Sequence, residues 1–83
     1  MDQVHEDLMA VIRRLPEHAH VLKKHFLGNR KFQSMCEDYR KCHDALTYWT
    51  KSQKEESRGP RKEYAALLAE LEAEIVEFLD GHS

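Results

Sequence analysis

Glycine and proline are scarce in this chain, with three and two residues among 83. A β-rich fold leans on both at its turns, so their scarcity suits a helical protein. Long apolar runs are missing as well: nothing approaches the roughly 18–20 residues that span a bilayer. The opening stretch, MDQVHEDLMAVIRR, is acidic at its start, where a secretory signal would be basic and then purely apolar. The expectation is a soluble, cytoplasmic protein. There is no Gly-rich phosphate loop, no nucleophile elbow and no acid pair in a plausible cleft. A bundle this small has little room for a pocket, so the sequence predicts no enzyme, no catalytic residue and no cofactor.

Cysteine is limited to Cys36 and Cys42. On one helix, six steps leave them roughly 120° apart around the axis and about 9 Å apart along it. That exceeds the reach of a disulfide, whose Cα atoms lie within about 7 Å. Two reduced thiols are expected, as in a cytosolic protein.

What the chain does have is charge and periodicity. Charged residues make up 34% of it, and its length suits one small domain near the size at which a single core is only marginally stabilising. The organising stretch is 32–53, where Phe32, Met35, Tyr39, Cys42, Leu46, Trp49 and Gln53 recur at alternating steps of three and four. Such a seam presses lengthwise against another helix. Glu37, Asp38, Arg40, Lys41, Asp44, Lys51 and Ser52 fall between and form the solvated face.

Before this stretch, Val4, Leu8, Val11, Ile12 and Leu15 share one helical stripe, with Asp2 as its N-cap and Glu6 and Asp7 in its early turns. Pro16 interrupts the pattern and either kinks one helix or starts another. A segment from Pro16 to Phe26 follows, with Ala19, Leu22, Phe26 and Leu27 facing inward. Gly28 closes it in the left-handed conformation, and Asn29 caps the next helix.

The predicted fold is all-α: an antiparallel, coiled-coil-like helical hairpin with N-terminal helices packed on it, forming a small bundle. It is one domain, 1–83. An N-terminal segment covers 1–28, a long helix covers 29–57, and a last helix covers 60–80 after a turn at Ser57-Arg58-Gly59-Pro60. The last helix carries Tyr64, Leu67, Leu68, Leu71, Ile75, Phe78 and Leu79. Antiparallel pairing about residue 57 sets Trp49 beside Tyr64, Leu46 beside Leu67 or Leu68, Cys42 beside Leu71, Tyr39 beside Ile75 and Met35 beside Phe78.

The spacing resembles the YdcH-like proteins, a family of small bacterial helical hairpins with no assigned function. That family's pattern has an early Pro-Glu, a Phe sixteen residues past the proline, apolar or aromatic seam positions and a leucine-rich last helix. Pro16, Glu17, Phe32, Tyr39, Leu46, Glu74-Ile75 and Phe78-Leu79 occupy those positions, so the resemblance covers about 16–79. Cys42 stands where the family usually has Leu, and Asn29 where an acidic residue is common. The resemblance implies the hairpin fold and coiled-coil pairing, and no catalytic residue.

Three chemistries are weighed against plain structure. Cys36, His43, His18, His20 and His25 invite a zinc or haem site. However, Cys36 and His43, seven residues apart, sit about 10 Å apart along the axis, too far for shared ligation. The histidines could act as pH sensors, although histidine is common on solvated helix faces. The charge is lopsided: eight basic and three acidic residues lie from Arg13 to Lys41, whereas 63–83 holds six acidic residues and no Lys or Arg. The basic half could track phosphates, or Arg40 and Lys41 could pair with Glu70, Glu72, Glu74 and Glu77 and select the hairpin partner.

Leu67, Leu79, Ala45, Ala65 and Ala66 widen the apolar stripe beyond one partner's reach. Tyr48, about 100° from Trp49, is expected to be exposed and could mark a contact patch. The functional expectation is a protein–protein interaction module, an adaptor or scaffold that pairs as a homodimer or meets an unidentified protein. Its interface is drawn from Phe32, Met35, Tyr39, Cys42, Leu46, Trp49, Tyr64, Leu67, Leu68, Leu71, Ile75 and Phe78. The alternatives are a nucleic-acid-associated accessory protein and a metal- or haem-binding regulator. No metal ligand is assigned.

Overall fold

The computed structural model describes residues 3–52 and 54–81, with side chains from residue 6 onward. Asp2 as N-cap and Gln53 at the end of the seam lie outside the described residues, as does the side chain of Val4 on the first stripe.

Among the described residues four α-helices make the fold: α1 (Gln3–Arg14), α2 (Ala19–Gly28), α3 (Arg30–Lys51) and α4 (Arg58–Gly81). Among the described residues there is no strand. The longest packing interface joins α3 to α4, and the next joins α1 to α3. The molecule is an antiparallel hairpin with its N-terminal helices laid on one side, as the periodicity predicted.

Pro16 breaks the chain rather than bending it. Leu15 leaves the helix at φ −126° and ψ 63°, and Pro16–His18 forms a 3-10 turn before α2 begins. The proline ring disfavours helix at the residue before it and suits the opening of the next turn. At the next boundary, the Asn29 side chain accepts a hydrogen bond from the Phe32 amide at 3.1 Å, the predicted cap. Gly28 differs from expectation: among the described residues no glycine has positive φ. The extended backbone of Asn29 carries the chain away instead. The Gln33 side-chain amide donates to the Phe26 carbonyl at 2.7 Å, satisfying an acceptor that the end of α2 leaves open. Leu27, expected inward, is 83% exposed.

The hairpin turn comes earlier than the sequence suggests. Helix α3 ends at Lys51, and a 3-10 turn at Glu55–Ser57 leads directly into α4. Gly59 and Pro60 lie inside the first turn of α4, where a missing amide proton is tolerated. The turn is closed by the buried Ser57, whose hydroxyl donates to Ser52 Oγ at 2.6 Å.

Moving the turn changes the register by about one to two helical turns. Phe78 stacks on Phe32, with ring centroids 4.8 Å apart, rather than opposing Met35. The Cys42 thiol meets the Tyr64 carbonyl at 3.4 Å, where Trp49 was expected beside Tyr64. The core gathers Leu8 and Val11 of α1, Leu22 and Phe26 of α2, Phe32, Cys36 and Tyr39 of α3, and Ile75 and Leu79 of α4. Half-buried His25 closes its edge, its ring edge-on to Phe32 and Phe78.

Candidate interaction surface

Helix α3 has two apolar stripes. Phe32, Met35, Tyr39, Cys42, Leu46 and Trp49 form the predicted seam, of which Phe32, Tyr39 and Cys42 are buried and the others half-buried. A second stripe, Phe32–Cys36–Tyr39, turns toward α1. Cys36 has 0% exposure. The seam reading missed it, although its spacing of four and then three from Phe32 is visible in the sequence.

Burial pushes the Cys36 thiol up to about 12, with the charge of nearby Asp7 adding to the effect. Burial also raises Cys42. Both thiols are thus held protonated at neutral pH, the form that neither attacks electrophiles nor ligates metal. Among the described residues no three His, Cys, Asp or Glu side chains gather closely enough to hold a metal ion.

The ion pairs depart from the predicted α3–α4 ladder. Arg40 is not on a solvated face: it pairs with the buried Asp7 of α1 and, at 2.7 Å, with Asp44. The hydrogen bond to Asp7 raises the Arg40 pKa further, stabilising its charge. Lys41 pairs with Glu37 at 3.3 Å, and Glu72 is met by Arg14 at 3.0 Å. The acidic α4 thus finds a cation on α1, because α1 packs on α3 and its last turn carries Arg14 within reach of Glu72. The predicted basic strip is divided accordingly. Arg14, Arg40 and Lys41 are engaged, while Lys23, Lys24, Arg30 and Lys31 remain exposed.

On the last helix, Ile75 is buried, and Tyr64, Leu68, Leu71 and Phe78 are half-buried. Leu67 departs from the expected seam at 43% exposure. With Cys42, Ala45, Tyr64 and Leu71 it lines an open, largely apolar trough of about 360 Å³, to which only α3 and α4 contribute. Asp38 and Lys41 stand on its α3 rim. Glu63, Glu70 and Glu74, three or four residues from Leu67 or Leu71 and exposed, stand on the α4 side. The trough lies away from the Cys36 stripe that α1 covers.

A second furrow, of about 590 Å³, runs between α1, α3 and α4 beside Arg13, Arg14, Arg40, His43 and Asp44. Its guanidiniums at Arg14 and Arg40 are already paired, and it is more polar in character. Tyr39 borders it with its pKa raised by burial and then by Glu72, against an opposing effect of Arg14. At the hairpin tip, Tyr48 is 67% exposed, as expected, and meets the Trp49 ring edge-on at 5.1 Å. Among the described residues no helix is long and apolar enough to cross a membrane.

No family model, curated protein or solved structure matches the chain.

Proposed function

We propose that this chain is a small non-enzymatic interaction module, and that the trough between α3 and α4 seats the same face of a second copy. The observation that carries this reading is the uncovered apolar floor, with Leu67 and Tyr64 accessible and α1 and α2 committed elsewhere. Such a floor gains stability from any surface that removes it from water.

Charge favours a second copy as the occupant. The α3 side carries Lys31 and Lys41 with Asp38, whereas from Glu63 to the end of α4 every charged residue is acidic. A two-fold axis that lays α3 of one copy along α4 of the other brings Lys31 and Lys41 toward the acidic α4 side twice, making the surface self-complementary. The product is a four-helix bundle around the two troughs, flanked by the N-terminal helices. Membership of the YdcH-like family and a cytoplasmic setting belong to the same proposal. The spacing from Pro16 through Phe32 and Tyr39 to Leu46 supports the first, and the free thiols of Cys36 and Cys42 support the second.

Light scattering on the reduced, untagged protein tests the reading. The wild type should weigh twice 9.8 kDa, and Leu67→Asp should weigh 9.8 kDa with its helical circular dichroism unchanged. Leu67 is exposed in the single chain, so its replacement leaves the core intact. A wild type that stays monomeric at all concentrations, or a Leu67→Asp variant that stays dimeric, overturns the proposal.

A further inference from the structure

The hairpin tip carries a feature that neither the seam nor the trough uses. From Lys51 to Lys62 there are five basic residues against Glu55 and Glu56, a positive region on a chain whose net charge is −2. Three of the five, Lys54, Arg58 and Arg61, line one concavity together with the hydroxyl-bearing Thr50 and Ser52. It measures about 620 Å³, and Glu55 is its one acidic wall residue.

Midway along α3, by contrast, Arg40 is engaged by Asp7 and Asp44, and Lys41 by Glu37. Among the described residues no carboxylate lies within ion-pairing distance of Lys54, Arg58 or Arg61. Three like charges brought together with only Glu55 beside them leave the concavity net positive, which raises the local potential and draws an anion. The hydroxyls supply directed donors. The Ser57–Ser52 hydroxyl contact at 2.6 Å fixes Ser52 Oγ in the wall of the concavity. Ser57 is buried, so this serine pair holds the loop that presents Lys54 and Arg58.

We propose that the tip is a phosphate site: Lys54, Arg58 and Arg61 hold the phosphate oxygens and Ser52 and Thr50 hydrogen-bond to them. Guanidiniums suit this role because their planar fork matches two phosphate oxygens at once. Arg58 and Arg61, three residues apart on α4, rise about 4.5 Å relative to one another, which spreads the donors over more than one oxygen pair. The ligand is a phosphate ester, either a free phosphorylated small molecule or the backbone of a nucleic-acid strand. Exposed Tyr48, outside the concavity and one turn before Lys51, would add a stacking face for the strand.

The test is a titration of the full-length, ¹⁵N-labelled protein with inorganic pyrophosphate, followed residue by residue in its amide spectrum. Saturable shifts should cluster between Ser52 and Lys62. The Lys54→Gln/Arg58→Gln double variant should bind about tenfold more weakly, two lost charged contacts of modest strength. Both residues are exposed, so the variant keeps the wild-type fold and its spectrum elsewhere. Absence of shifts at the tip, shifts equally strong around Lys23, Lys24, Arg30 and Lys31, or a double variant that binds like wild type overturns the site. A short single-stranded oligonucleotide forms the second arm. Displacement of pyrophosphate by the strand makes the strand's backbone the source. Pyrophosphate binding without strand binding makes it a free phosphate compound.

Discussion

The thiol of Cys36 sits without solvent access, close enough to Asp7 for that carboxylate to oppose its ionisation. Its pKa stands at about 12 in the folded chain, against an ordinary value of 9.0. On raising the pH, the unfolded chain therefore releases this proton first. The stability that Cys36 confers is complete below pH 9 and is lost as the pH rises toward the folded value. The loss is at most about 1.4 kcal/mol per pH unit. Tyr39, raised by burial and Glu72, adds the same sign. Urea midpoints of the wild type should fall between pH 9 and 11, and Cys36→Ala should flatten that decline without abolishing it. Identical slopes for the two proteins would remove Cys36 as the cause. Little of this was legible beforehand. Cys36 and Arg40 both lie off the seam of α3, and only the arrival of α1 with Leu8, Val11 and Asp7 turns their positions inward.

Helix boundaries follow the same logic of competing neighbours. Asn29 was readable because its side chain has a local job, accepting from an amide three residues on. Asn29→Ala should lower stability by about 1 kcal/mol, and Asn29→Asp, which keeps the acceptor oxygen, should recover most of that loss, measured by chemical denaturation. An alanine variant as stable as the wild type would show that the cap contributes nothing. The turn was less readable. Gly59-Pro60 is the strongest punctuation in that region, yet both residues fit the first turn of a helix. The actual stop depends on Ser52 and Ser57, whose hydroxyls meet only once the chain has reversed. Serine in that spacing carries no distinctive signal, and the misplaced turn then shifted the partners of Phe78, from Met35 to Phe32, and of Tyr64, from Trp49 to Cys42. The apolar period of α3 and α4 survived because it is set within each helix.

At the scale of the molecule, 42 × 29 × 21 Å, the arrangement is one-sided. Helix α1 and its ion pair with Arg40 cover one flank of α3, and the trough with Leu67 occupies another. A small domain has few residues with which to close every face, and here the apolar surplus anticipated from Leu67 and Ala45 collects in one place. The trough was thus foreshadowed by residue count, whereas the basic concavity at the tip was hidden until the turn was placed. The covering of Cys36 has one more consequence. An alkylating reagent at neutral pH can reach that sulfur only when α1 lifts from the hairpin, so the thiol keeps time for that motion. With iodoacetamide, Cys42, at 5% exposure on the trough, should be modified before Cys36 at 0%. The slower rate gives the opening free energy of one helix while the rest of the bundle stays folded. Equal rates for the two thiols would mean that the first helix detaches as readily as the trough breathes.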